Sequence, residues 1–174
     1  MDKPRFLYCC QCGGPKLRTV SNREFECEAC GFKHFINPTV AVAAILANKD
    51  GEILLIRRAK NPGLGQLSLP GGFVDPGETG EEAIAREVLE EVSLTVSNFN
   101  YLASFPNEYS YQGVIYPVLD VFFVASTDSF SGANAMAEVQ SLEIALPADL
   151  QYGEIAFPSV ARALRMYAGQ SRRG

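Results

Sequence analysis

The stretch from Gly72 to Leu94 reads Gly-Phe-Val-Asp-Pro-Gly-Glu-Thr-Gly-Glu-Glu-Ala-Ile-Ala-Arg-Glu-Val-Leu-Glu-Glu-Val-Ser-Leu, a glycine-bearing loop followed by a helix-forming segment. A threonine at 79 with a glutamate three residues later forms a capping box, which predicts where the helix begins. Ile84, Val88 and Val92 then recur at the spacing of one helix face. The pattern predicts an amphipathic helix with one packed side.

The opposite side of this helix concentrates negative charge. Glu87, Glu90 and Glu91 fall within an arc of roughly 100° on a helix of 3.6 residues per turn. Like charges at this spacing repel one another by a few tenths of a kcal/mol per pair in water. A divalent ion would neutralise them, and carboxylate oxygens suit Mg²⁺ or Mn²⁺. The alternative is a solvated acidic helix after a turn.

The same stretch has the spacing of a known motif. Gly72 is followed after five residues by Glu78, after seven more by Arg86-Glu87-Val88, and after one more by Glu90-Glu91. This pattern resembles the box of the Nudix hydrolase superfamily in six polar or glycine positions. The resemblance implies an α/β Nudix fold, with a mixed sheet between helices.

The resemblance also implies a metal site. Glu87 and Glu91 would be the principal ligands of Mg²⁺ or Mn²⁺, and Glu90 would be a ligand directly or through water. The Gly71 carbonyl would add a further ligand. Metal ions held in this way grip a diphosphate and lower the pKa of a bound water.

Three more residues receive catalytic roles by the same resemblance or by position. Arg86 would orient a box carboxylate by a charge-assisted hydrogen bond, and Glu78 would brace the loop or join the metal shell. The general base varies among Nudix families. Glu138, in a loop before the last predicted strand, is our candidate, against the alternative of a merely solvated glutamate.

One position departs from the family pattern. Ser93 stands where the family usually has glycine, just past the helix, where the backbone is often left-handed. A serine in that conformation would cost up to roughly 1 to 2 kcal/mol. We therefore expect a helix terminus that is built differently.

The N-terminal part of the chain carries two Cys-x-x-Cys pairs, each followed by glycine. This spacing lets four thiolates converge on one Zn²⁺, and a segment under about 40 residues cannot usually fold by burial alone. Two disulfides are the alternative, which fits poorly with an N-terminus that has no secretion signal. The predicted ligands are Cys9, Cys12, Cys27 and Cys30.

Two nearby residues are left outside this ligand set. Cys10 lies between two predicted ligands and is either a free thiol or a competing ligand. His34 is the only histidine. With four cysteines available, we interpret it as an ordinary surface or interdomain residue.

Length and composition suit one core and a small satellite. The chain has 174 residues, 47% of them hydrophobic, and we expect a zinc ribbon over 1–37 and a Nudix domain over 38–174. The net charge is −5, which argues against broad attraction to nucleic acid or anionic lipid. No apolar run has the length of a membrane helix. We expect a cytoplasmic protein.

The rest of the chain reads as strands with one closing helix. Apolar and β-branched runs predict strands, and a polar tyrosine-bearing stretch over 106–113 predicts a loop. The predicted strands are 39–47, 52–57, 67–70, 95–105, 114–124 and a weaker 142–146, followed by a helix over 158–167.

A zinc ribbon followed directly by a Nudix domain resembles the NADH pyrophosphatase group. This implies Mg²⁺- or Mn²⁺-dependent hydrolysis of a nucleoside diphosphate linked to another group, such as NADH, ADP-ribose or FAD. The group's Ser-Gln-Pro-Trp-Pro-Phe-Pro segment is missing, because this chain has no tryptophan. Aromatic side chains that could stack on a base, or equally belong to the core, are Phe105, Tyr109, Tyr111 and Tyr116.

A different class of function is a binding module. In that hypothesis the Nudix domain senses a nucleotide, and the slightly basic residues 1–37, with a net charge of +2, contact nucleic acid or a partner. Three clustered carboxylates argue against it, since a pure sensor does not need them. Hydrolysis of a nucleotide cap on RNA lies between the two hypotheses. Family resemblance alone suggests a homodimer.

Overall fold

The computed structural model describes residues 7–136 and 138–171. The N-terminal segment 1–5, on which the secretion-signal interpretation depends, lies outside the described residues. The chain divides into two compact units, Met1–Pro38 and Thr39–Gly174. Each unit is described by itself below.

The smaller unit is a three-stranded antiparallel sheet in the order β1-β2-β3. Its strands are β1 (Leu17–Thr19), β2 (Glu24–Cys27) and β3 (Lys33–Phe35). Cys9, Phe25 and Cys27 are its buried side chains among the described residues.

The larger unit is built on a seven-stranded mixed sheet. The main strand order is β10-β5-β4-β9-β8, β6 pairs with β5 and β7 pairs with β4. Strands β4 and β9 run parallel, whereas the other pairs are antiparallel. The strands are β4 (Thr39–Ala47), β5 (Ile53–Arg58), β6 (Leu67–Ser68), β7 (Gly71–Phe73), β8 (Asn100–Tyr111), β9 (Val114–Ser126) and β10 (Val139–Ala145).

Two helices cover the two faces of this sheet. Helix α1 (Gly80–Val92) packs on the face that carries Val42 and Ala44 of β4. Helix α2 (Pro158–Ser171) packs on the face that carries Ile45 and Ala47 of the same strand. Side chains of a strand alternate between faces, so the sheet lies between the helices. The predicted mixed sheet between helices is confirmed.

The start and the packed side of α1 are as predicted. Thr79 caps the helix and exchanges hydrogen bonds with Glu82 in a full capping box. Ile84, Val88 and Val92 are fully buried. Both features could be predicted from the sequence, because the capping box and the apolar stripe depend only on residues in and next to one helix.

The end of α1 differs from our expectation. Ser93 adopts the left-handed conformation, with φ 58° and ψ 25°, and its N–H donates to the Leu89 carbonyl at 3.0 Å. The expected alternative terminus is therefore wrong. The chain keeps the backbone geometry of a glycine terminus with a residue that has a Cβ.

The predicted loop over residues 106–113 is also wrong. Strand β8 continues to Tyr111 and pairs with β9 up to Val114, so only Gln112 and Gly113 form the turn, both with positive φ. The predicted loop began at Pro106, which instead lies inside β8. Strand β8 lies at the edge of the sheet, where proline is tolerated because one side of the strand needs no donor.

Other element boundaries moved by a few residues. Strand β8 begins at Asn100 rather than at 95, and β10 begins at Val139 rather than at 142. Helix α2 continues to Ser171. No helix in the described parts of the chain has the length and apolar character needed to cross a membrane.

Candidate active site

A cleft of about 430 Å³ opens in the larger unit beside the loop that precedes α1. Its walls come from α1, from β7 and from β4, and also from β5, β8 and β9. Its volume is within the range of small-molecule sites. At one end, which we call the carboxylate end, lie Glu87, Glu90, Glu91 and Glu138.

Strand β7 passes directly against the carboxylates because its two glycines allow a close approach. The Gly71 N–H donates to Oε2 of Glu91 at 2.9 Å. A Cβ added at Gly72 would lie 2.3 Å from Oε1 of Glu87. The glycine pair thus brings the backbone into contact with both glutamates.

Arg86 ties the loop to the helix. Its guanidinium donates to both oxygens of Glu78, at 2.8 and 3.0 Å, and to Glu87 at 2.8 Å. It also donates to Glu90 at 3.3 Å and to the Phe73 carbonyl at 3.1 Å. A planar fork of donors is suited to holding several acceptors at once.

The carboxylates of Glu78, Glu87 and Glu91 have different electrostatic surroundings. Burial raises the pKa of Glu91 to about 7, against the opposing hydrogen bond from Gly71. Burial also raises the pKa of Glu87, although Arg86 opposes the shift. The hydrogen bonds of Arg86 hold the pKa of Glu78 at about 2. Glu87 and Glu91 are thus partly desolvated carboxyl groups whose negative charge is not fully compensated, and a bound cation would supply the missing charge.

Glu138 lies in the wall of the same cleft. It has a positive φ of 71°, its carboxylate pairs with Lys60 at 2.6 Å, and its charge raises the pKa of Glu87 and Glu91. Its loop therefore presents it to the carboxylate end. Its role as general base stays a prediction.

Of the four predicted aromatic residues, the structure brings one to the cleft. Tyr109 lines the cleft. Phe105 instead packs against Phe122, with Arg162 over its ring at 4.2 Å. Tyr111 and Tyr116 lie in the β8–β9 hairpin, where Tyr111 pairs with Val114 and Tyr116 pairs with Tyr109, and they are 51% and 42% exposed. None of these three is among the residues that line the cleft, and their role in substrate binding stays a prediction.

Two aromatic residues of the cleft were missed from the sequence. Phe73 meets Tyr109 edge to face at 5.3 Å, and Phe157 lies nearly parallel to Tyr109 at 6.3 Å between ring centroids. We call these three rings the aromatic end of the cleft. They come from distant parts of the chain, and no local pattern signals their meeting.

Three polar residues of the cleft were missed as well. Arg58 has its guanidinium 5.0 Å from the centre of the Phe157 ring, and its charge lowers the pKa of Glu91. Asn107 and Asp120 also line the cleft. For Asp120 a signal existed, because a charged residue interrupts an otherwise apolar strand.

Comparison with known proteins agrees with this geometry. A model of the NUDIX domain matches residues 37–162. The chain belongs to the NUDIX family. A crystal structure of a NUDIX hydrolase from Nitrosomonas europaea aligns with a TM-score of 0.78 at 26% identity, over 97% of this chain and 94% of that one.

Curated relatives match a smaller part of the NUDIX chain. An NAD-capped RNA hydrolase from Stutzerimonas stutzeri is 35% identical over 97 residues, which is 56% of this chain and 34% of that protein. An ADP-ribose pyrophosphatase from Methanocaldococcus jannaschii is 51% identical over 63 residues, 36% of this chain and 37% of that protein. The chain thus spans about a third of the length of these relatives.

The residues at the carboxylate end fit a divalent metal. NUDIX enzymes generally use one, and the oxygens of the half-buried Glu87 and Glu91 are hard donors of the kind such cations prefer. Glu90 is more exposed, and its carboxylate is only loosely held by Arg86. The fit rests on the donor chemistry and on the raised pKa values of the two half-buried glutamates.

The four predicted cysteines of the NUDIX protein's N-terminal unit form one cluster. Their sulfurs lie within 4.8 Å of one another, with 3.8 Å between Cys9 and Cys30 and 3.7 Å between Cys12 and Cys27. Four sulfurs at about 2.3 Å around a tetrahedral zinc would be about 3.8 Å apart. The cluster therefore fits zinc. Cys10 lies outside it, 3.9 Å from Nδ1 of His34.

Proposed function

We propose that this protein is a Mg²⁺- or Mn²⁺-dependent pyrophosphohydrolase. Its substrate is a nucleoside diphosphate linked to another group, such as ADP-ribose, NADH or FAD, and its products are a nucleoside monophosphate and a second phosphorylated compound. One observation carries the proposal. A single cleft is lined both by half-buried glutamates and by a group of aromatic rings.

The chemistry follows from the charge of the substrate. Diphosphate oxygens repel a nucleophile, so a catalyst must cancel their charge and place a water in line. Bound Mg²⁺ or Mn²⁺ supplies that charge and lowers the pKa of the water. Glu87 and Glu91 would hold the metal, and Glu90 and the Gly71 carbonyl would be further ligands.

The remaining residues of this end position the ligands and the water. Arg86 keeps the Glu87 carboxylate in place through its 2.8 Å hydrogen bond and is itself held by Glu78. We assign the general base to Glu138, whose pairing with Lys60 is exposed. An exposed pair is held weakly, so the Glu138 carboxylate can turn from Lys60 to a water.

The aromatic end suits the nucleoside. Tyr109 and Phe157 offer nearly parallel ring faces on which a base stacks. Arg58 lies over Phe157 and is close enough to Glu91 to affect its pKa. It is therefore placed to meet the phosphates between the two ends.

A panel of ADP-ribose, NADH and FAD, incubated with the protein and either metal, tests the proposal. We expect release of a nucleoside monophosphate. Glu91→Gln should lower turnover by about 10²-fold or more, as expected for loss of a preorganised electrostatic group. The matched control is Glu81→Gln, which changes an exposed glutamate in the first turn of the same helix and should keep full activity.

Three results would contradict the proposal. If none of the substrates in the panel releases a nucleoside monophosphate, the proposed activity is excluded for them. Unchanged turnover in Glu91→Gln would remove Glu91 from the mechanism. Calorimetry that shows no uptake of magnesium or manganese, even with a nucleotide present, would remove the metal site.

The names of several relatives favour a second candidate, hydrolysis of a nucleotide cap on RNA. Relatives from Stutzerimonas stutzeri and Vibrio cholerae are NAD-capped RNA hydrolases. Comparing turnover of free NAD with that of a short RNA bearing the same cap separates the candidates. Preference for the capped RNA that weakens steeply with salt would support it, because phosphate contacts are salt-dependent.

For the N-terminal part we propose a structural zinc ribbon over 1–37, followed by the catalytic domain over 38–174. The support is the four-cysteine cluster with sulfur separations that suit zinc. Metal analysis of the purified protein tests it. Absence of bound zinc from protein prepared without chelators would contradict it.

A further inference from the structure

The cleft contains a buried carboxylate that the proposed metal chemistry does not use. Asp120 in β9 lines the cleft and is only 8% exposed. Among the described residues, no arginine or lysine forms a salt bridge with it. A buried carboxylate without a counter-charge is costly unless hydrogen-bond donors surround it.

Two donors of the protein reach this carboxylate. The Ser159 hydroxyl donates to Oδ2 at 2.5 Å, and the Asn107 side chain donates a further hydrogen bond. A carboxylate offers about four acceptor positions. The pair of donors therefore leaves acceptor capacity in a group that lies on the wall of the cleft.

The two donors also place Asp120 beside the aromatic end. Asn107 and Tyr109 are two residues apart in β8, so their side chains project from the same face. Ser159 is two residues beyond Phe157, at the start of α2. Each residue that holds Asp120 is thus next to one of the two nearly parallel rings.

Sheet geometry separates Asp120 from the metal-binding glutamates. Asp120 is in register with Ala41 of β4, whereas Gly72, which Glu87 touches, is in register with Val42. Neighbouring residues of a strand point to opposite faces. Asp120 accordingly projects toward α2, whereas Glu87 belongs to α1 on the other face.

From this arrangement we infer that Asp120 determines specificity for the base. It accepts a hydrogen bond from an exocyclic amino group of a ring stacked at the aromatic end, and the Asn107 amide beside it can donate to the adjacent ring nitrogen, a pairing that adenine offers. A base with a carbonyl oxygen in place of the amino group would meet the carboxylate oxygen and be rejected. This inference rests on the proposed function and names the base that the site selects.

Binding of AMP and IMP, measured by calorimetry without metal, tests the inference apart from catalysis. The two bases differ in the amino or carbonyl group at one ring position. We expect the wild type to bind AMP at least about tenfold more tightly than IMP, the scale of a hydrogen bond to a charged group. N6,N6-dimethyl-AMP, which lacks the amino hydrogens, should bind as weakly as IMP.

Asp120→Asn is the matching variant, because an amide can both donate and accept. Its preference for AMP should shrink to less than about threefold, with tighter binding of IMP than in the wild type. Asp128→Asn, which changes an exposed aspartate paired with Lys49, is the control and should keep the wild-type preference. A purely structural role for Asp120 would lower the melting temperature without changing the ratio of the two affinities.

The outcomes separate the inference from the function on which it rests. Equal binding of AMP and IMP by the wild type, or no binding of either, overturns the inference even if ADP-ribose is hydrolysed. A clear preference for AMP in a protein that hydrolyses nothing overturns the proposed function and leaves the role of Asp120 intact. If Asp120→Asn does not fold, the wild-type comparison with dimethyl-AMP decides.

Discussion

The backbone N–H of Gly71 donates a 2.9 Å hydrogen bond to Oε2 of Glu91. This contact joins strand β7 to the last turn of helix α1. Despite the bond, burial raises the pKa of Glu91 to about 7 from an ordinary value of 4.5. The β7 backbone thus holds the Glu91 carboxylate in place without fully compensating its charge.

This contact predicts a pH dependence of stability in buffer free of magnesium and manganese. Between about pH 4.5 and pH 7 the folded protein keeps a proton on Glu91 that the unfolded chain has lost. The free energy of unfolding should therefore fall as pH rises through this window, by about 3 kcal/mol from this group. Urea unfolding at pH 5 and at pH 8 measures this change. The decrease in the free energy of unfolding between the two pH values should be smaller in Glu91→Gln than in the wild type, by about 3 kcal/mol. An equal decrease in both proteins would contradict the prediction.

Alanine substitutions at the two glycines of β7, Gly71 and Gly72, should have different effects. A Cβ at Gly71 would lie 2.1 Å from the backbone oxygen of Val42, and φ there is 151°. Gly71→Ala should therefore cost more than about 3 kcal/mol of stability. At Gly72 the atoms nearest to the added Cβ belong to the Glu87 carboxylate rather than to backbone, so Gly72→Ala should cost about 1 kcal/mol but lower metal affinity about tenfold. Thermal unfolding and metal titration check both, and equal stability of the two variants would be inconsistent with this geometry.

Replacing Arg86 by lysine should weaken the site without unfolding the helix. The guanidinium bonds Glu78 and Glu87 together, and an ammonium cannot hold both in one plane. We expect metal affinity to fall about 10- to 100-fold, as for loss of other groups that orient ligands. Arg18→Lys, which alters a surface pair with Glu26, is the control. Full metal affinity in Arg86→Lys would show that Glu87 needs no orientation.

The terminus of α1 offers a stabilising change. Ser93 has φ 58°, a conformation that glycine adopts without the steric cost of a Cβ. Ser93→Gly should raise the free energy of unfolding by about 1 kcal/mol. Ser110→Gly, in the extended strand β8, should lower it by about 0.5 to 1 kcal/mol. Urea unfolding of both variants checks the signs, and a loss of stability in Ser93→Gly would refute the argument.

The cysteine cluster predicts which thiols zinc needs. Cys27 is fully buried and its sulfur lies 3.7 Å from that of Cys12. Cys27→Ser should lose bound zinc, because serine is a poor ligand for this ion. Cys10→Ser removes the thiol outside the cluster and should keep it. Zinc content by elemental analysis decides, and retention of zinc by Cys27→Ser would exclude the four-thiolate site.

Much of the site was predictable because its signals are local. The spacing from Gly72 to Glu91 lies within one loop and one helix, so helix geometry alone places the three glutamates on one side. The capping box at Thr79 and the paired cysteines depend in the same way on residues close in sequence. Short-range chemistry leaves few alternatives at such positions.

The aromatic end could not be predicted in this way. Tyr109 meets Phe73 and Phe157, which lie more than thirty residues away in either direction. Composition marked Tyr111 and Tyr116 equally well, but both side chains are largely exposed and neither lines the cleft. Only the packing of Tyr109 against Phe73 and Phe157 distinguishes it from the other two tyrosines.

The sequence by itself determined the family motif, the helix that carries the glutamates and the four zinc ligands, because each is encoded over a few neighbouring residues. The tertiary structure decided which side chains share the cleft and how buried each carboxylate is. Burial depends on which element packs over a side chain. Asp120 of β9, for example, is buried where α2 brings Ser159 against it. Desolvation then shifts the pKa of Asp120 and Glu91 upward.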